Sequence, residues 1–113
     1  MNKKIEFNYD GVDYTLEYNR DAIVYMENRG LDMSAMGSKS VTMAEILWQG
    51  AFLVNHKKET FAKIQEIFQH IPNKSDLVSN LIEMVGETYA MLIGDKDEED
   101  KKDDSKNIEW KMS

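Results

Sequence analysis

Cysteine is absent from this 113-residue chain. That excludes a disulfide framework and thiolate zinc sites, and it fits a reducing cytoplasm. Histidine is scarce: His56 and His70 are the only two. They stand near separate predicted helix ends, without the His-x-x-x-His or His-Glu-x-x-His spacing that gathers metal ligands on one helix face. The six glycines are scattered singly, at 11, 30, 37, 50, 86 and 94, so no glycine-rich phosphate loop is present. Long apolar runs are missing too. The most apolar stretch, Ile46 to Val54, falls far short of the roughly 20 residues a bilayer-spanning helix needs. Lys3 and Lys4 resemble the start of a signal peptide, but Glu6, Asn8 and Asp10 interrupt the apolar stretch that would follow. The expectation is a cytoplasmic protein without a membrane partner.

Basic charge is also short. The net charge is −7, and residues 95–113 alone hold eight acids and five lysines. No basic stripe is available to neutralise phosphates, which disfavours nucleic acid as a partner. Asp97-Glu98-Glu99-Asp100 lacks the Asp-x-Asp-x-Asp-Gly loop that wraps a divalent cation, so it reads as a solvated charge run. With no nucleophile–base arrangement, metal set or cofactor motif, the chain is expected to be non-enzymatic, with no catalytic residues, metal or cofactor.

What is present is patterning. Ile5, Phe7 and Tyr9 alternate with polar residues, and Val12, Tyr14 and Leu16 do so again after Asp10-Gly11. Asp-Gly between alternating runs signals a two-residue type I′ turn, because both central residues need positive φ. The turn pairs Tyr9 with Val12, Phe7 with Tyr14 and Ile5 with Leu16, all on one face. Two strands alone are marginal, so that face must pack on helices.

Four helices are predicted. The first runs from about Arg20 to Arg29, capped by Asn19 and stopped by Gly30. A connection over 31–41 has room for a helical turn after Asp32. Thr42-Met43-Ala44-Glu45 matches a capping box opening a second helix to about Asn55. That helix is apolar around most of its circumference, as a buried central helix would be. Gly50 within it points to a close backbone approach, and His56-Lys57-Lys58 are placed to meet its negative end. The third helix covers Glu59 to His70, with Phe61, Ile64, Ile67, Phe68 and Ile71 on one stripe, and Pro72-Asn73 breaks it. Ser75 caps a fourth, from Asp76 to about Ile93. The fold class is therefore α+β and mainly α: an N-terminal hairpin packed on a four-helix domain over 1–94, followed by an acidic, flexible tail over 95–113.

The eight methionines either fill the core or supply soft surface for partners. Trp48 is expected in the core. Ile108, Trp110 and Met112 restore apolar alternation beyond the charged run. They are the candidate partner-binding residues, suited to docking as an edge strand on the hairpin, on a second copy or on another protein. The competing reading is a frayed terminus.

Three stretches carry a resemblance to a known family. They are the hairpin-into-helix Ile5-Glu6-Phe7-Asn8-Tyr9-Asp10-Gly11-Val12-Asp13-Tyr14-Thr15-Leu16-Glu17-Tyr18-Asn19-Arg20 with Tyr25-Met26-Glu27, the helical body ending near Gly94, and the charged tail closing on Ile108-Glu109-Trp110-Lys111-Met112. In this order they resemble the tail assembly chaperones of long-tailed bacteriophages of Gram-positive hosts. The resemblance implies a non-structural, self-associating protein of the infected host cell's cytoplasm. It would coat the aggregation-prone tape measure protein and help recruit the tail tube protein. Such chaperones are often also made in a longer, frameshifted form, and the family has no catalytic residues. Two other readings stand beside it: a small acidic phage-type inhibitor that mimics nucleic acid to block a host protein, and a structural tail or head-completion protein.

Overall fold

A computed structural model describes residues 3–93. Strands β1 (Ile5–Tyr9) and β2 (Val12–Leu16) are followed by helices α1 (Arg20–Asn28), α2 (Ser40–Ala51), α3 (Phe61–His70) and α4 (Lys74–Ile93), with a short 3-10 turn at Met33–Ala35. The architecture is the expected one: an N-terminal antiparallel hairpin and four helices. The proposed boundary at 94, the tail over 95–113, and Ile108, Trp110 and Met112 within it lie outside the described residues.

The hairpin follows its turn chemistry. Asp10 and Gly11 both take positive φ, 55° and 83°, and the pairs are Ile5↔Leu16, Phe7↔Tyr14 and Tyr9↔Val12. Five of those six side chains reach the core cluster or its margin, whereas Val12, beside the turn, overhangs it and is 49% exposed. The Asn19 side chain accepts from Ala22 N–H and caps α1. At the other end Gly30, at φ 107°, allows Leu31 N–H to reach back to Met26 O at 2.9 Å and Gly30 N–H to Glu27 O at 3.1 Å. These two bonds form a Schellman stop, which needs the left-handed backbone that glycine adopts freely.

Helix α2 departs from expectation at both ends. It starts at Ser40, with Lys39 at the cap and no side-chain cap bond, so Thr42 lies inside the helix and the capping box does not form. The 3-10 turn ends close by, and bonds from Ser38 and Lys39 N–H to Ala35 O lead the chain straight into α2. At its C-terminus the helix tightens after Ala51: Phe52 and Leu53 N–H bond three residues back, to Gln49 O and Gly50 O. Ala51 O instead accepts Glu17 N–H at 3.3 Å, so the chain leaving β2 takes the carbonyl that a longer helix would have used.

Thr60 caps α3 by accepting Lys63 N–H at 3.1 Å. Ile64 and Ile67 point inward, but Phe61 is 58% exposed, contrary to its place on the predicted stripe. It is the first residue of α3, with no preceding turn to carry it inward. Helix α4 begins at Lys74 rather than after Ser75, because Asn73 at φ 55° completes the turn. Lys74 Nζ then donates to Gln69 O and Ile71 O, satisfying carbonyls at the end of α3.

One hydrophobic cluster draws on the hairpin and all four helices. At its centre lies α2, in which Met43, Ala44 and every residue from Ile46 to Ala51 are buried. Trp48 is fully buried, with Nε1 donating to Ile64 O at 2.8 Å and the ring stacked on Phe7 at 6.1 Å. Gly50 serves a close approach, but by a side chain rather than a backbone: a Cβ there would collide with Met26 Cγ and Sδ.

This contact yields a prediction. Gly50→Ala gains about 1 kcal/mol of helix propensity but overpacks the core at a cost of about 1–3 kcal/mol. The expected net effect is a loss of about 1 kcal/mol in denaturant unfolding. In a Met26→Ala background the same substitution is expected to stabilise, since the colliding atoms are gone. Equal effects in both backgrounds would remove Met26 as the reason for the glycine.

Candidate partner-binding surface

The groups with chemical potential are tied up structurally. His56 does not meet the negative end of α2, as its position in the sequence implied. Its Nε2 accepts Thr15 N–H from the outer edge of β2 at 3.0 Å, and its ring packs 4.9 Å from Tyr14 and 6.1 Å from Phe52. Accepting that bond requires Nε2 to carry no proton. Asn55 adds Nδ2 bonds to Thr15 O at 3.2 Å and Glu17 Oε2 at 2.8 Å, so the turn after α2 covers this edge of the hairpin. His70 is exposed, its ring 5.9 Å from that of Tyr9. Among the described residues no three His, Asp or Glu side chains gather to hold a metal ion, and no helix is long and apolar enough to cross a membrane.

Three tyrosine hydroxyls donate to carboxylates far away in sequence. Tyr9 bonds Glu66, Tyr14 bonds Glu59 at 2.7 Å, and Tyr89 bonds Glu27 at 2.7 Å. The first two fasten the hairpin to α3 and the segment before it, and the third fastens α4 to α1. All three phenols are pushed up to about 12: Tyr9 chiefly by its bond to Glu66, Tyr14 and Tyr89 chiefly by burial and then by their carboxylate partners. The bond from Tyr9 in turn holds the Glu66 carboxyl below its ordinary value. Tyr18 is raised by burial and donates to Leu47 O at 2.7 Å.

Apolar surface is what this body offers a partner. Among the described residues the methionines contribute little of it: Met26, Met43 and Met84 are buried, Met33 and Met36 are half-buried, and Met91 is exposed. A groove of about 330 Å³ runs between the start of α2, the end of α3 and the start of α4, lined by Val41, Ala44, Phe68 and Val78 with Ser40, Lys74 and Ser75 at its rim. Val41 stands 72% exposed at its lip, and Lys74 Nζ lies 5.7 Å from the Phe68 ring centre. A second apolar patch lies where α4 ends against α1, with Val24, Leu92 and Ile93 exposed. Phe61 borders a third hollow, of about 430 Å³, where Gln49 Oε1 is buried without a partner among the described residues.

The sequence signal for the groove was Val41 and Ala44, three residues apart on one helix face. It was hidden by starting the helix at Thr42. The candidate residues chosen from sequence, Ile108, Trp110 and Met112, are not among those described.

The tyrosine bonds set a pH dependence. A phenol raised in the folded state contributes stability that is complete below its ordinary value of 10.0 and is lost as pH rises through about 12. Glu66 has the opposite sign: its contribution is present above the ordinary 4.5 and is lost as pH falls through its lowered folded value. The melting temperature is therefore expected to hold steady between these limits and to fall on both sides. Tyr14→Phe should flatten the alkaline limb and Glu66→Gln the acid limb, as thermal unfolding followed against pH would show. Limbs unchanged in these variants would contradict the assignment.

No curated protein and no solved structure matches the chain. A family model described as "Domain of unknown function (DUF5055)" matches residues 1–113. That match spans the whole chain, which thus belongs to the DUF5055 family.

Proposed function

We propose that this chain is a non-enzymatic tail assembly chaperone of a long-tailed bacteriophage. In this reading it works in the cytoplasm of the infected cell, binds the tape measure protein and helps recruit the tail tube protein. It associates with itself and takes neither nucleic acid nor membrane as a partner. The family reading comes from the resemblance in sequence. The observation that supports it is the open apolar groove of Val41, Ala44, Phe68 and Val78. An amphipathic client helix can lay alternate turns into such a groove. Each client side chain fully buried there gains about 1.5–3 kcal/mol, less the cost of ordering it. A few such contacts give modest affinity per site, which suits a protein that must coat a long client and later leave it.

The test is co-expression with a tape measure protein from the same phage, followed by pull-down and sizing. The expected result is a soluble client carrying several copies of this chain. Val41→Asp should reduce co-purification about tenfold, which corresponds to about 1.4 kcal/mol. Its own unfolding should shift by no more than about 0.5 kcal/mol, because the position is exposed. A client that aggregates regardless, with this chain eluting alone, would overturn the proposal. Recovery of the chain from purified virions would instead favour a structural tail or head-completion role.

A further inference from the structure

The hairpin has two outer edges, and among the described residues only that of β2 has partners, at Thr15. In a two-residue hairpin Tyr9 and Val12 exchange both of their bonds, and so do Phe7 and Tyr14, and Ile5 and Leu16. The backbone groups of Asp13 and Thr15 therefore point outward from β2, and those of Glu6 and Asn8 point outward from β1. Asn55 and His56 satisfy Thr15 on the β2 side. Among the described residues no hydrogen bond reaches the backbone N–H or C=O of Glu6 or Asn8. Side-chain burial is equally lopsided: Tyr14 and Leu16 are buried, whereas Ile5, Phe7 and Tyr9 are only half-buried. The apolar face of the sheet is thus unfinished beside β1, and an exposed strand edge is a template for another strand.

One other segment of the chain has the pattern to finish it. Ile108, Trp110 and Met112 alternate with Glu109 and Lys111. The tether reaches. Lys3 Nζ bonds Glu83 Oε1 at 2.8 Å, which places the start of β1 beside the middle of α4. From Glu83 to the end of α4 is about 15 Å along the helix, and the chain from Ile93 to Ile108 extends up to about 50 Å. Charge then narrows the registers. The solvent face of β1 presents Lys4 and Glu6, and a strand added parallel to β1 sets Glu109 opposite Lys4 and Lys111 opposite Glu6. The same register lays Trp110 beside Ile5 and Met112 beside Phe7, extending the half-buried apolar row. An antiparallel strand with Trp110 beside Phe7 also sets Lys111 opposite Glu6, and it lays Ile108 beside Tyr9 and Met112 beside Ile5, whereas registers that bring Glu109 against Glu6 set like charges across from each other.

We propose that the outer edge of β1 is a strand-addition site occupied by the chain's own Ile108–Met112 segment, with Lys111 opposite Glu6 and Trp110 extending the row of Ile5, Phe7 and Tyr9. The third strand shields Glu6 and Asn8 from edge-to-edge association with other chains. It also makes the edge available to a foreign strand only when the segment is displaced. This assignment is independent of the tail-chaperone reading.

Amide hydrogen exchange of the full chain, read residue by residue by NMR, tests it. The Glu6 and Asn8 amides are expected to exchange at least tenfold more slowly than in the full chain carrying Trp110→Pro, which removes both the indole and a backbone donor. The Phe7 and Leu16 amides, paired within the hairpin, should be unchanged and so report that the fold is intact. An NOE between the Trp110 indole and Ile5 or Phe7 is expected as well. Glu6 and Asn8 exchanging equally fast in both proteins would overturn the proposal. Protection that disappears on dilution would also overturn it, in favour of a second copy at the edge.

Discussion

Helix α2 has almost no solvent face, and the rest of the structure is arranged to cover it. From Ile46 to Phe52 every residue is buried, including Gln49 and Gly50. A helix of this kind cannot exist alone in water, because most of its stability comes from tertiary packing. The hairpin supplies Phe7, Tyr14 and Leu16, α1 supplies Met26 against Gly50, and α3 brings Phe68 to 5.2 Å from the Trp48 ring. Trp48 ties the arrangement together, since its indole N–H finds its acceptor in α3 while its ring faces the hairpin. Loss of a buried tryptophan of this kind costs about 3–5 kcal/mol.

The same constraint shapes the surface. The outer elements turn Leu16, Met26, Ile67, Leu81 and Val85 inward onto the cluster around Trp48 and Leu47, and few large apolar side chains are left to close the gaps between them. Four open places result: the groove at Val41, the patch between α1 and the end of α4, the hollow at Phe61 and the hairpin edge at β1. Polar side chains around them are paired in ways that rigidify the body, as in the bonds of Tyr9 to Glu66 and Tyr89 to Glu27.

Much of the fold was legible because the decisive residues act locally. Asp10-Gly11 sets its own turn, Asn19 caps the helix it begins, and Gly30 stops that helix through positive φ. Where sequence reading failed, a distant partner had intervened. The end of α2 depends on Glu17 taking the Ala51 carbonyl, and the position of His56 depends on Thr15, 41 residues earlier. Thr42-x-x-Glu45 has the form of a capping box, yet the chain enters α2 from the 3-10 turn and passes Thr42 already helical. The candidate surface was less legible still. Val41 was assigned to a connection, and the tyrosine–carboxylate bonds join residues 45 to 62 positions apart, which no local pattern encodes.

The dependence of the whole on α2 is most directly tested by native-state hydrogen exchange followed against denaturant. The account predicts that amides from Ile46 to Ala51 exchange only through global unfolding, with the full unfolding free energy, while amides in the last turn of α4 open at lower energy. Exchange of those α2 amides through a local opening, with the hairpin and the outer helices still protected, would show that the outer elements hold together without it and would contradict the account.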